Sequence, residues 1–282
     1  MSQTGAYLRL ARISNLPTVW SNVLAAGVLA GGLHMSNLVL LMLAMSLFYT
    51  GGMFLNDAFD AKVDARDRPQ RPIPAGIVSV TSVWASGSAM LLLGIVLMFA
   101  FGTAAGVAGI ALAVAILVYD GWHKGNQAAP VIMGACRALV YVATWIAAGR
   151  AIDSAIIWPA LALLAYIAGL TFAAKQEELD KVEAWWPLAL LASPALYALA
   201  VTDYSAHTIF WAAASIAAIV LAVRFLIRRG PGDVPRAVSL MIATIALNDA
   251  ALASTTGDVF VPLLCGALFA ATLALQRYIP GT

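Results

Sequence analysis

The sequence predicts an all-helical, polytopic membrane bundle that forms one integral membrane domain over residues 1–282, and three observations carry this reading. Of the 282 residues, 62% are hydrophobic and only 11% are charged, less than half the roughly 25% charge of an ordinary soluble domain. Apolar runs of about 17–25 residues recur along the chain, each long enough to cross a hydrocarbon core of about 30 Å. When these runs are threaded through a membrane, Lys and Arg collect on one side of it.

Hydropathy predicts spans at about 16–33, 37–56, 80–100, 103–119, 129–148, 155–174, 185–202, 208–227, 236–253 and 258–276. All are expected to be helices, because the backbone must satisfy its own hydrogen bonds in lipid and the alternation of a membrane strand is missing. Pro17 and Pro194 fit if neighbouring groups take up the freed carbonyls. The polar N-terminal stretch leads into the first span without a small-residue cleavage site.

With the N-terminus in the cytoplasm, fourteen of the sixteen Lys and Arg residues lie on the cytoplasmic side; Arg150 lies opposite and Arg137 lies within a span. The polar loops 57–79, 120–128 and 175–184 then share that face. The expected setting is a bacterial inner membrane with these loops facing the cytoplasm and lipid around the spans.

The rest of the composition excludes several classes. A net charge of +2 gives no nucleic-acid surface. Cys136 and Cys265 sit in apolar stretches without a CxxC spacing, against a disulfide framework or a zinc site. His34, His123 and His207 are dispersed near span ends, which leaves no paired histidines for haem or di-iron.

The chemistry concentrates in Asn56-Asp57-Ala58-Phe59-Asp60-Ala61-Lys62-Val63-Asp64 and the Arg68-Pro69-Gln70-Arg71-Pro72-Ile73-Pro74 tail. If the second helix continues through Asp64, Asn56, Asp60, Asp64 and Asp57 lie at about 0, 40, 80 and 100° around it. Three carboxylates share this face with an amide, and like charges at i and i+4 repel unless a cation sits there. Hard oxygen ligands suit Mg²⁺ bridging to substrate phosphates. The prolines are expected to break the helix and hold an extended turn that lets Arg68 and Arg71 face the phosphates.

A second acidic cluster follows the sixth span at Lys175-Gln176-Glu177-Glu178-Leu179-Asp180-Lys181. On a continuing helix Gln176, Glu177 and Asp180 share one arc, and an even number of spans returns them to the face of the first cluster. In the 120–128 loop, Lys124 reads either as a phosphate-binding cation or as a headgroup anchor beside Trp122, and Tyr119 as a group that faces a carbocation or donates a hydrogen bond. Arg137 in the fifth span costs at least about 2.5–3.5 kcal/mol to insert, so it faces either a diphosphate in a polar cavity or an acid on a neighbouring helix. Asn248 and Asp249 in the ninth span raise the same question. Phe59 and Trp145 are candidate walls for an apolar tail.

With these residues the sequence resembles the UbiA superfamily of intramembrane prenyltransferases. The match lies in Asn56, Asp57, Asp60, Asp64, Arg68, Pro69, Arg71, Pro72, Pro74 and Gly76, in Arg12 ahead of Pro17, and in the loop from Tyr119 to Lys124. The resemblance implies nine or ten helices around a central cavity with cytosolic cap loops. It implies Mg²⁺ as cofactor, a prenyl diphosphate as donor, an aromatic or lipid acceptor, and transfer of the prenyl group after ionisation. Asp57, Asp60, Asp64 and Asp180 are the expected catalytic acids, and Asn56, Asp60, Asp64, Glu177 and Asp180 the metal ligands. Arg12, Arg68, Arg71, Lys124, Arg137 and Lys175 are expected at the diphosphate, and Tyr119 and Gln176 at the substrate. Gln176 departs from the family's second DxxxD motif, where its position holds aspartate, and Glu177 would supply the missing charge. A UbiA-type terpene cyclase needs the same metal site. A transporter fits less well, because the charges crowd one face.

Overall fold

The computed structural model describes residues 2–175, 185–202, 205–279 and 281. The described residues form helices and turns. Helix α1 (Gln3–Leu10) is capped by the Ser2 hydroxyl, and a 3₁₀ turn over Ile13–Asn15 leads into α2 (Leu16–Leu29). There follow α3 (Met35–Asp67), α4 (Val80–Phe99), α5 (Thr103–Trp122), α6 (Ala129–Ala147) and α7 (Ser154–Lys175). The short α8 (Trp186–Ala189) and α9 (Ser193–Ala200) precede α10 (Ala206–Arg228), α11 (Asp233–Ser254) and α12 (Phe260–Gln276).

Seven of these, α3 to α7, α10 and α11, are long and apolar enough to cross a membrane, and the protein is an integral, multi-pass membrane protein. The other three predicted spans are shorter than expected. The first ends at Leu29 because Gly31 and Gly32 both take φ of +97°, a conformation that stops a helix. The seventh, expected over 185–202, is broken into α8, a 3₁₀ turn and α9, since Pro194 has no N–H to carry the hydrogen-bond ladder across the junction. The Leu190 carbonyl that Pro194 leaves free accepts a hydrogen bond from Ser193 Oγ at 2.6 Å.

Helix α3 differs most in length. Its 33 residues make a rod of about 50 Å, so the helix continues well past the predicted end of the span at 56. The first acidic motif is therefore helical throughout. Beyond Asp67 the proline-rich segment folds into consecutive hydrogen-bonded turns, with Arg71 N–H to Arg68 O at 3.0 Å and Ala75 N–H to Arg71 O at 2.9 Å. An extended turn was expected; the Arg71 side chain instead draws the segment back onto α3.

Neighbours in sequence pack side by side from α2 round to α12, and α12 closes against α2, so the bundle is a ring. α2 and α11 also pack against each other and are its most buried helices, with nearly every side chain from Ala237 to Ser254 out of contact with the surroundings. The outward faces carry Leu92, Val96, Phe210 and Leu263, each more than half exposed, as lipid-facing residues are in a bundle whose solvent is hydrocarbon. α3 and α4 meet at Gly51 and Gly87: a Cβ on Gly51 would stand 2.9 Å from the Gly87 carbonyl, so the absence of side chains sets this close crossing. That crossing helps to set the path of α3, whose Asn56 and Asp60 reach the cavity between the helices.

Candidate active site

A cavity of about 410 Å³ runs into the bundle between α2, α3, α5, α6, α7 and α11. Its polar mouth carries Arg12, Asn56, Asp60, Arg68, Arg71, Tyr119, Asp120 and His123, and its deeper wall is largely apolar, with Val19, Met45, Phe48, Leu112, Ile116 and Val140. A largely apolar pocket with a few convergent polar groups is the usual form of a small-molecule site, and here those groups gather at the mouth.

All four motif side chains on α3 are buried, Asn56, Asp57, Asp60 and Asp64 being 5–9% exposed, and each has partners from another segment. Two clusters result. In the first, Arg71 Nη1 donates to Asp64 Oδ2 at 2.7 Å and to Asp57 Oδ1 at 3.3 Å, with Arg12 Nη2 3.5 Å from the same Asp57 oxygen. In the second, Lys124 Nζ stands 2.7 Å from Asp60 Oδ1, His123 Nε2 stands 3.5 Å from Asp60 Oδ2, and Asn56 Nδ2 donates to Asp120 Oδ1 at 3.1 Å. Asn56 and Asp60 line the cavity, whereas Asp57 and Asp64 face the proline-rich turns beside it.

Local geometry explains how the cations arrive. Arg12 adopts a left-handed backbone at φ +43°, unusual for a non-glycine residue, and this kink between α1 and the 3₁₀ turn aims its guanidinium at Met53 and Asp57. The Tyr49 hydroxyl holds the kink by donating to the Arg12 carbonyl at 3.3 Å. His123 terminates α5, with Nδ1 at 3.2 Å from the Asp120 carbonyl and its ring stacked on Tyr119 at 5.1 Å. The hydrogen bond to Asp60 raises the His123 pKa above its ordinary value against the opposing effect of burial. Lys175, at the end of α7, donates to the Asn126 carbonyl at 3.1 Å, so the loop after α5 and the end of α7 meet at the mouth.

Gln176, Glu177 and Asp180 lie outside the described residues, as does the rest of the second acidic cluster. Arg137 lines the cavity but is not part of the two mouth clusters. Its guanidinium bonds Thr18 O at 3.3 Å, Asn22 Oδ1 at 2.8 Å and Thr18 Oγ1 at 3.1 Å, and lies over the Tyr49 ring at 5.7 Å. Asp249 is fully buried behind Asn22 and does not line the cavity. It accepts from Ser21, from Asn22 Nδ2 at 2.8 Å and from Tyr141 Oη at 2.6 Å. Asn248 accepts from Ser215 Oγ at 2.6 Å, equally away from the cavity.

The two aromatic wall candidates are corrected. Phe59 points outward, 41% exposed, and packs edge-on against Trp84 at 4.6 Å. Trp145 is core, donating Nε1 to the Ala151 carbonyl at 2.7 Å. Sequence reasoning also gave no site role to Asp120, His123 or the Ser21, Asn22 and Tyr141 partners of Asp249. Only Asp120 had a usable signal, an acid at the same membrane face as Asn56.

Among the described residues, no three Asp, Glu, His or Cys side chains stand close enough together to hold an ion as they are. The donor chemistry nevertheless fits Mg²⁺, which takes one or two carboxylates and fills its other positions with water and phosphate oxygens. Asn56, Asp60 and Asp120 supply that set on the cavity wall, and Asp120 Oδ2 is buried without a hydrogen-bond partner.

An all-helical membrane ring with acids and bases gathered at the mouth of an apolar cavity defines a polytopic membrane protein with a cavity of amphiphilic lining. A family model described as the UbiA prenyltransferase family matches residues 14–181, well over half the chain, and the chain belongs to that family. It is 28% identical over 116 residues to the digeranylgeranylglyceryl phosphate synthase of Saccharolobus solfataricus, covering 40% of this chain and 41% of that one. The chain thus spans about two fifths of that relative's length in the match. In three dimensions it resembles a UbiA homolog from Aeropyrum pernix K1 at a TM-score of 0.69 and 15% identity, over 95% of this chain and 98% of the other. It also resembles a UbiA homolog from Archaeoglobus fulgidus bound to GPP and Mg²⁺, at a TM-score of 0.55 and 16% identity over 96% and 99% of the two chains. At these identities the likeness is one of fold.

Proposed function

We propose that this protein is a Mg²⁺-dependent intramembrane prenyltransferase that binds a prenyl diphosphate at the mouth and transfers its prenyl group to an aromatic or lipid acceptor. The observation that carries the proposal is the juxtaposition of Asn56 and Asp60, with their cationic neighbours, at the polar end of an otherwise apolar cavity. The Archaeoglobus homolog of the same fold binds GPP and Mg²⁺, and the name of the Saccharolobus relative describes a glyceryl phosphate lipid, which supports a lipid-like acceptor.

Bound Mg²⁺ would neutralise the diphosphate and favour its departure as a leaving group. Asn56, Asp60 and, once Arg71 has turned from it to the phosphates, Asp64 are the ligands proposed from α3; Glu177 and Asp180, outside the described residues, complete the proposed set. Lys124 and Arg71 now neutralise Asp60 and Asp64; with a substrate present they turn to the phosphate oxygens, joined by Arg12, Arg68 and Lys175. As the allylic C1–O bond breaks, these cations take up the charge that develops on the leaving pyrophosphate. Tyr119, at the boundary between mouth and apolar wall, faces the allylic cation. The acceptor nucleophile then forms the new bond to C1 and releases its proton. The apolar wall holds the tail and keeps water from the cation.

The charge asymmetry of the loops supports a cytoplasmic mouth in a prokaryotic plasma membrane, for which a bacterial inner membrane was the expectation. The test is pyrophosphate release by purified protein with labelled prenyl diphosphate and Mg²⁺, with and without acceptors. Acceptor-dependent release supports transfer. A cyclic hydrocarbon or alcohol formed without acceptor reassigns the protein as a cyclase, and no release under either condition removes the proposal.

A further inference from the structure

The mouth holds one acid whose arrangement differs from the others. Asp57, Asp60 and Asp64 each face a cationic side chain within 3.5 Å. Asp120 is 4% exposed, and among the described residues its Oδ1 accepts only from Asn56 while its Oδ2 has no partner. Leaving a carboxylate oxygen buried and unpaired costs free energy, and such atoms are uncommon in folded proteins. Asp120 also lines the cavity beside Asn56 and Asp60.

The hydrogen bond to Asn56 has a chemical consequence. Asn56 Nδ2 is the donor to Asp120 Oδ1, so the Asn56 amide turns its NH₂ toward Asp120. The Asn56 oxygen is thereby directed away from Asp120 and left free to act as a ligand. Two helices then contribute to one oxygen cluster: α3 supplies Asn56 and Asp60, and the last turn of α5 supplies Asp120.

We infer that Asp120 belongs to the divalent-cation site of the mouth, holding the Asn56 amide with its oxygen toward the ion and contributing its own free Oδ2 as a further oxygen. The inference rests on the proposed metal-diphosphate reading of this mouth. It explains why this buried carboxylate has no cationic partner among the described residues: the ion is its counter-charge. It also gives Asn56 a fixed orientation before any substrate arrives, and outer partners of this kind typically govern metal affinity by about 10- to 100-fold.

The test uses full-length protein in detergent and Mn²⁺ as a paramagnetic probe, with free ion read by electron paramagnetic resonance, with and without inorganic pyrophosphate. Asp120→Asn still accepts from Asn56 but loses the charged oxygen, and Mn²⁺ affinity is expected to fall about ten-fold. Asp120→Ala loses both functions, and the fall is expected to approach 100-fold. Thermal unfolding of the metal-free Asp120→Asn protein is expected to match wild type or to rise, because the buried charge is gone. Unchanged Mn²⁺ affinity in Asp120→Asn, whether or not Asp120→Ala folds, overturns the inference, as does a lowered melting temperature with normal metal affinity, the signature of a purely structural acid. If wild-type protein binds no Mn²⁺ in either condition, the metal reading itself falls, and the Asp120 inference falls with it.

Discussion

Lys124 Nζ lies 2.7 Å from Asp60 Oδ1, so the cation from the loop after α5 occupies one oxygen of the carboxylate proposed as the principal metal ligand. Lysine is a flexible point charge on a long stem and here is 43% exposed. Asp60 is held by the rigid α3 helix, and of the two partners the lysine is the one free to move.

Lys124→Ala should therefore shift two affinities in opposite directions. Metal binding in the absence of substrate should tighten, since a competing cation has gone. Prenyl diphosphate binding should weaken about ten-fold, about 1.4 kcal/mol, since a phosphate contact has gone. Mn²⁺ titration and equilibrium binding of labelled diphosphate check the pair. Unchanged diphosphate affinity would return Lys124 to the alternative role of a headgroup anchor.

Asp60→Ala should reduce pyrophosphate release at least about 100-fold, the scale of losing a principal electrostatic stabiliser. The protein should remain folded in detergent, because Asp60 borders the cavity and is not packed into the core. Circular dichroism and size exclusion check the fold, and phosphate-coupled turnover checks the activity. Wild-type turnover would sink the site.

Arg71 tethers the proline-rich turns to Asp57 and Asp64 at 3.3 and 2.7 Å. Removing one partner from a buried ion pair costs about 3–5 kcal/mol; with Arg71 about one fifth exposed, a loss on the order of 2 kcal/mol is expected for Arg71→Ala. Arg71→Lys should recover only part of it, because an ammonium does not span both acids as a guanidinium does. Thermal unfolding in detergent distinguishes the two variants, and equal melting temperatures for Arg71→Ala and wild type would deny the tether.

The sequence carried the ring's raw material plainly. Long apolar runs have few fates outside a bilayer, and one-sided Lys and Arg group the loops. The helical phase of Asn56 to Asp64 was legible because a period of 3.6 residues depends on local geometry alone. What stayed hidden depends on contacts between distant segments. Asp249 read as a possible cavity group, but the cavity wall on its side is Val238, Ile242 and Ile245, and Asp249 faces α2 and α6. Phe59 and Trp145 looked like walls because nothing in a helix's own sequence says which face meets the cavity. The break in the seventh span was foreshadowed by Pro194, yet hydropathy averages over such breaks.

The Asp249 network gives a prediction about stability. Tyr141 Oη donates to Asp249 Oδ1 at 2.6 Å in the middle of the bundle, where both residues are fully buried. Tyr141→Phe removes a donor to a charged acceptor while keeping the ring, so a loss of about 1.5–3 kcal/mol is expected. Arg137 keeps its own bonds to Thr18 and Asn22, so diphosphate binding should change less than stability does. Chemical unfolding in mixed detergent measures the first, and a binding isotherm the second. A stable Tyr141→Phe protein would mean that Ser21 and Asn22 alone satisfy the carboxylate.

Cavity depth should set the longest tail the protein accepts. Met45 and Asp60 both line the cavity and lie on one helix. Fifteen residues separate them, about 22 Å at 1.5 Å per residue, so Met45 is at the end of the α3 lining farthest from a diphosphate held at Asp60. Met45→Phe places a larger, stiffer side chain there and should shorten the longest prenyl diphosphate that turns over, while leaving the shortest substrates untouched. Met45→Ala opens the same end and should extend the range, at a cost of about 2–5 kcal/mol in stability for the cavity it leaves. Competition between prenyl diphosphates of different length, read by product mass, tests both variants in one experiment. If both shift the length preference in the same direction, or neither shifts it, the tail does not run down α3 and must leave the mouth by another route.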